Sequence, residues 1–579
     1  MKKLFIFLAA AFLCFMLIAP ANAASKDTFV KATYGTVRTI DPATAYDVSS
    51  GMKLYNIYER LVAFDGASTE NFIPELAVEV PTVANGGISK DGKNYRFKIK
   101  KGIKFHNGAT LTPEDVEYSF ERGMIMDQAG GPQWMILEAL TGKGGTRDGD
   151  DKVIDGIFEK IMAAVDVDGD DVVFHLPVPY PPLMGIIQYT SSSIINKKWA
   201  IANKCWDGKL ATAAKYNNPD FNKEPLLKIA NGTGPYTLKE WIPSNQFVFE
   251  RFEGYWGKTP YFKNAIVKYV PEWTTRKLML QNGDADVVDL DSMYVEEVEA
   301  MEGITVYKIP QLSYSAAIFC QKINPAGNPD IGSGKLDGNG IPPNFFSDIH
   351  VRKAFSHSID WKAMKEDVGM GLIDLPGSPN CIGLPYYKEI PLYSFDAKKA
   401  EAEMKQAFGG EVWEKGFKMT ITHNTGNALR EAAANMMAEN IMALNPKFQI
   451  EIRNVAWKDY TVKYRQFAYP VFIIGWGADY PDPHNFLYTF MHSNGVYGKY
   501  SGFKNAEVDA LCDAGIQNVE PEKRRAAYSK LQDLWHELAV GNTVYQQTVV
   551  KPFRSDIKGF VGNPMFDDDH EYLKNLYRE

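Results

Sequence analysis

The stretch Pro470-Val471-Phe472-Ile473-Ile474-Gly475-Trp476-Gly477-Ala478-Asp479-Tyr480-Pro481-Asp482-Pro483 decides the fold. Val471 to Ile474 form an unbroken apolar run, which predicts a strand buried on both faces, as in a parallel sheet covered by helices. Upstream, Leu429, Ala433, Met436 or Met437, Ile441 and Leu444 keep helical spacing, Ile450, Ile452 and Val455 alternate as a strand, and Trp457 to Phe467 can form a second helix. A helix-strand-helix-strand order predicts an α/β lobe with parallel pairing. In open α/β sheets ligands sit beyond the carboxyl ends of the strands, so the segment from Gly475 to Pro483 has the position of a binding loop.

The rest of the chain is also mixed strand and helix. Tyr95, Phe97 and Ile99 alternate with charged residues, as do Ile103 and Phe105, which predicts an antiparallel pair followed by a turn at Asn107-Gly108. A helix should start after Thr112, with Pro113 in its first position, Glu114 and Asp115 at the positive end of its dipole, and Val116 and Phe120 facing inward. Another runs from about Thr275 to Asn282 and stops at Gly283, before a strand at Val287-Val288. Residues 324–345, rich in Gly, Pro, Asn and Asp, read as a surface loop.

The amino terminus carries Lys2 and Lys3, an apolar run from Leu4 to Ile18, Pro20, and the small-x-small triplet Ala21-Asn22-Ala23. This predicts a secretory signal cleaved near Ala23; the run is shorter than the ~20 residues needed to span a bilayer. Cys14 lies deep in the run after Leu13, which speaks against a lipid anchor. The net charge of −8 becomes more negative once the two lysines are removed, so nothing basic remains to hold nucleic acid or an anionic membrane face. Export permits disulfides among Cys205, Cys320, Cys381 and Cys512, although their wide spacing selects none of the three pairings and argues against zinc.

Motifs that carry chemistry fail at defining positions. Gly257-Lys258-Thr259 lacks the glycine that a phosphate loop needs at 252, where Phe252 stands, and His536-Glu537 has Val540 where a zinc protease needs its second histidine. No Gly-x-Ser-x-Gly elbow occurs. The run Asp166, Asp168, Asp170, Asp171 puts Asp171 where a calcium loop has glycine, and reads as a solvated turn. An aromatic content of 13% suits a cleft that grips ligands.

Taken together the chain resembles the peptide/nickel-type (family 5) solute-binding proteins of ABC importers, most closely the dipeptide and oligopeptide binders. The matching segments include Leu54-Tyr55-Asn56-Ile57-Tyr58-Glu59-Arg60-Leu61, Gly102-Ile103-Lys104-Phe105-His106-Asn107-Gly108, Leu111-Thr112-Pro113-Glu114-Asp115-Val116, Gly232-Thr233-Gly234-Pro235-Tyr236, Tyr255-Trp256-Gly257, Val351-Arg352-Lys353-Ala354-Phe355 and the loop from Trp476 to Asp479. The resemblance implies a two-lobed α/β fold around a ligand cleft. A discontinuous first lobe (24–70, 190–288 and 546–579) would carry an inserted domain (71–189), and a second α/β lobe would span 289–545.

By the same resemblance, Asp479 would grip the α-ammonium of a peptide, Trp476 with Gly477 would cover it, and Trp457 would line the pocket. Tyr46, Val48 and Ser49 would offer backbone pairing in β-strand fashion, and Tyr545 would stand on the return strand. Pairing with backbone groups gives affinity without reading side chains. Where oligopeptide binders place an arginine before the Gly-Trp pair, against a carboxylate, this chain has Ile473. Asp482 could serve as a second acid, against a turn-forming role. The implied function is a monomeric periplasmic binding protein, free of cofactor, metal and membrane anchor, that delivers a peptide-like solute to the permease of an ABC importer. Oligosaccharide, nickel chelate or opine-like ligands are the rival readings, with a periplasmic peptide hydrolase behind them.

Overall fold

A computed structural model describes residues 26–148, 151–290, 292–566 and 571–579. The signal segment expected at 1–23 lies outside the described residues.

A twelve-stranded sheet organises the molecule. Its path runs Phe448–Val455, Phe417–Asn424, Val471–Gly477, Ser313–Phe319, Gly541–Arg554, Val287–Val288, Thr28–Thr33, Asn264–Tyr269, Gln246–Arg251 and Tyr236–Ile242. The long Gly541–Arg554 strand joins the two halves: Tyr545 pairs with Ser315 at one end, and Phe553 with Val287 at the other. On one half, Val471 and Ile473 pack with Ala433 and Met437, while Phe472 and Ile474 pack on the opposite face with Tyr314 and Phe490. The strand is therefore buried on both faces, as its unbroken apolar run requires, and each such side chain contributes about 1.5–3 kcal/mol through burial. The predicted helices form at Ala428–Met442 and Trp457–Arg465. Pairing is parallel, but Phe417–Asn424 stands between the two predicted strands and pairs with both.

On the other half, the helix Pro113–Met126 starts as expected, with the Thr112 amide donating to Asp115 Oδ2 at 2.9 Å and Val116 and Phe120 buried. The helix Trp273–Asn282 ends at Gly283, whose φ of 78° is a left-handed value that favours glycine. One pairing differs from expectation. Asn94–Lys98 pairs with Asp171–His175, not with the segment around Ile103 and Phe105, which buries both side chains and then turns at Asn107-Gly108. Alternation reported burial correctly, but it carries no information about which partner lies alongside. The Asp166–Asp171 run is the turn of a hairpin between Val165–Asp168 and Asp171–His175.

Cys205, Cys320, Cys381 and Cys512 are buried free thiols, so the disulfides that export would permit are not formed. Residues 324–345 are largely irregular, yet Ile331, Ile341 and Phe345 are buried and anchor the segment in the core.

Candidate functional site

Past Trp476 the strand ends and the chain turns through Asp479 into the helix Pro483–Met491. Asp482 caps that helix, accepting from the His484 amide at 3.0 Å, with Pro483 in the first position. Its other oxygen takes Arg524 Nη2 at 2.5 Å. Asp482 is thereby consumed in holding the loop, the turn-forming role weighed for it above. Asn485, on the first turn of the helix, organises the rest. Its Oδ1 accepts from Trp476 Nε1 at 2.9 Å and from the Asp479 amide at 3.1 Å, and its Nδ2 donates to Asp479 Oδ2 at 3.3 Å.

Asp479 is 7% exposed. Its Oδ1 accepts from the Tyr46 hydroxyl at 2.5 Å, and that hydroxyl in turn accepts from Trp134 Nε1 at 3.1 Å. Burial, and then the Asp479 charge, push the Tyr46 phenol well above its ordinary range, so it stays neutral and donates. Tyr46 and Trp134 line a cavity of about 510 Å³ together with Trp476, Tyr480, Asn485 and Tyr488; Asp479 bonds to Tyr46 and Asn485 of this lining but is not itself part of it. A second cavity, of about 400 Å³, is lined by Val48, Ser49, Asp289, Gln311, Ser313 and Gln547. Gly477 pairs in register with Ser313, and Tyr46 lies two residues before Val48, so the two hollows flank the same junction.

Not every expected residue gathers here. Val48 and Ser49 line the second cavity, but they begin the helix Val48–Ile57, capped by Asp47, which accepts from the Ser50 amide. Residues 48 and 49 thus start a helix, and its Ser50 and Gly51 amides are taken up by Asp47. Trp457 is 51% exposed, lines neither of these cavities, and stacks on Tyr460 with ring centroids 6.0 Å apart. Tyr545 is a buried core residue whose hydroxyl accepts from Asn427 Nδ2 at 3.3 Å.

Three residues that the sequence reading passed over belong near this junction: Asn485, Glu138 and Arg430. Arg430 lies one turn into the helix Ala428–Met442, with Nε donating to Ser315 Oγ at 3.1 Å and Nη1 to Asn424 Oδ1 at 2.8 Å. It makes no ion pair among the described residues, so its charge rests on neutral acceptors. Gly475 permits the approach: a Cβ there would meet Arg430 Nη2 at 2.6 Å and Ser315 Oγ at 3.0 Å. Ile473, where an arginine could have stood, is fully buried.

Comparison with known proteins fits this architecture. The dipeptide-binding protein of Escherichia coli (strain K12) is 25% identical over 575 residues, covering 95% of each chain. Heme-binding protein A of Haemophilus influenzae is 26% identical over 572 residues, 94% of this chain and 91% of that one. Among solved structures, the periplasmic binding protein DppA of Helicobacter pylori in complex with peptide STSA superposes with a TM-score of 0.70 at 22% identity, covering 95% of this chain and 98% of that one. The fold is thus the two-lobed one of periplasmic binding proteins. Among the described residues no helix is long and apolar enough to cross a membrane. Residues 71–498 match the bacterial extracellular solute-binding proteins, family 5, and the chain belongs to that family.

Proposed function

We propose that the chain is the periplasmic binding component of an ABC importer, and that it captures a peptide by its free amine at Asp479. Relatives named for dipeptides and for heme share the fold, so the ligand class is argued from the site. The observation that carries the reading is a buried carboxylate bonded to two residues that line the cavity, Tyr46 and Asn485, each a neutral donor to one of its oxygens. A buried carboxylate is stabilised further by a cation, and an ammonium there makes a charge-assisted bond. A sugar would gain from the aromatic walls but would bring no cation to the carboxylate. Trp476 covers the amine, and Arg430 offers a cation for the far carboxylate.

We assign 24–70, 190–288 and 546–579 to the first lobe, 71–189 to the inserted domain and 289–545 to the second lobe. On that assignment Tyr46 and Asp479 face each other from different lobes, and ligand contacts to both exist only when the cleft is shut. The protein binds without chemistry, as a monomer that hands its ligand to the permease. Native mass spectrometry of protein incubated with a peptide mixture tests this. Peptides with free amines should be retained and released intact; exclusive retention of amino-acetylated peptides, or recovery of cleaved fragments, would overturn it.

A further inference from the structure

The cavity lined by Tyr46 and Trp134 also carries Glu138, a carboxylate for which the described residues supply no ion pair, whereas Asp127 and Asp151 of the same lining pair with Arg147. Glu138 sits one turn after Trp134 on the helix Trp134–Thr141, so both side chains lie on one face, and both line the cavity. Its one hydrogen bond among the described residues comes from the Tyr180 hydroxyl at 3.5 Å, the outer limit for such a bond. The cation that shares the lining, Arg147, is already engaged: Nε pairs with Asp151 at 2.9 Å, Nη1 donates to Asn217 at 3.0 Å, and Nη2 to the Asp127 carbonyl at 2.9 Å. His484, also on the wall, is held neutral by burial with its pKa pushed down to about 4, and its Nδ1 meets the Tyr480 hydroxyl. Burial raises the Glu138 carboxyl above its usual range, the response of an acid that lacks a positive neighbour.

Aromatic side chains share the lining with glycines and polar residues. Trp134, Tyr480 and Tyr488 are in the lining, aromatic rings of the kind to which a cation is attracted, and the cavity of about 510 Å³ is ample for a long side chain. Tyr46, whose hydroxyl donates to Asp479, lines this cavity, so the hollow adjoins the carboxylate at which the ligand amine is placed in the proposed function. The side chain that enters is therefore that of the residue carrying the amine.

We infer that Glu138 and its aromatic walls form a specificity pocket for a basic first residue, so that the preferred ligands are peptides beginning with lysine, arginine or a similar long-chain cation. This rests on the placement of the amine at Asp479. Asp482, the second acid weighed from the sequence, is tied to Arg524 and cannot take the part.

Calorimetry on the full chain with Lys-Ala-Ala and norleucine-Ala-Ala, each with a free and an acetylated amine, separates the two ideas. Norleucine keeps the length of lysine and removes the charge. The lysine peptide should bind about tenfold or more tightly, Glu138→Gln should abolish the difference, and the norleucine affinity should stay within about threefold. Equal wild-type affinities, binding of neither peptide, or a preference that survives Glu138→Gln would each overturn the pocket. Should that variant fail to fold, the wild-type ratio alone decides. Loss of binding on acetylation with no lysine preference would refute the pocket and leave the amine site standing; a lysine preference indifferent to acetylation would refute the amine site.

Discussion

Tyr46 and Asp479 lie 433 residues apart in the chain, and the hydroxyl of one donates to the carboxylate of the other at 2.5 Å. The bond ties the start of the Val48–Ile57 helix to the loop after the Val471–Gly477 strand, so it exists only while those two parts of the molecule are in contact. Tyr46→Phe should shift the unliganded protein toward open forms, read as a larger radius of gyration by small-angle scattering, and should weaken peptide binding by about 1 kcal/mol. An unchanged scattering profile would remove the bond from any part in closure.

Asp479→Ala removes the acceptor instead of the donor. Leaving a ligand ammonium unpaired in a closed cleft should cost on the order of 2–5 kcal/mol of affinity by calorimetry. Amino-acetylated peptides, which bring no charge, should be affected far less. Equal losses for both ligands would show that Asp479 supports the loop and does not read the amine.

Arg430 should matter at the other end of the ligand. Its guanidinium is held by Ser315 and Asn424, neutral groups that position it without neutralising it. Arg430→Gln should weaken binding of peptides with a free carboxylate by about 1.5–3 kcal/mol while leaving carboxy-amidated peptides nearly unaffected. An equal effect on both would mean that Arg430 only braces Gly475.

What the sequence disclosed follows from what is local. The buried strand, its flanking helices and the loop beyond it are written in periodicity and in Gly, Pro and Asp placement, and the structure forms them at those positions. Lateral choices were hidden. Nothing in Tyr95, Phe97 and Ile99 points to Asp171–His175 as their partner, because register is set by contacts far along the chain. The same holds for the site. Asp479 is conspicuous at a strand end, whereas Asn485 looks like one more helical residue, and Glu138 and Arg430 acquire meaning only when separate segments converge. Trp457 shows the converse: an aromatic in a promising place that the fold leaves half in solvent.

The loop that carries Asp479 is braced from behind. Arg524, on the helix Pro521–Glu537, reaches Asp482 and also donates to the Gly515 carbonyl at 2.9 Å, and the Tyr528 hydroxyl donates to Asp482 at 3.3 Å. Both charged partners are nearly fully buried. Arg524→Leu strands a carboxylate in the interior and should cost about 3–5 kcal/mol of stability, measured as a lower urea midpoint. Binding should weaken with it, since Asp482 also starts the helix that holds Asn485. A variant with wild-type stability would mean that Asp482 finds another donor.

A further consequence concerns pH. Glu121, on the helix Pro113–Met126, is 3% exposed, and its carboxyl is pushed up to about 8, first by burial, then by the Glu117 charge, with Asp166 adding and Lys197 opposing. In the unfolded chain this group loses its proton near pH 4.5, so between there and about pH 8 the folded form holds a proton that the unfolded form has released. Stability from this group is therefore complete in acid and falls as pH rises through that window. Glu121→Gln keeps the neutral shape and removes the titration. The variant should match the wild type near pH 4.5 and exceed it by about 4 kcal/mol at pH 8, read from denaturation curves at the two values. A stability gap independent of pH would mean that the carboxyl is solvated or paired in the folded protein.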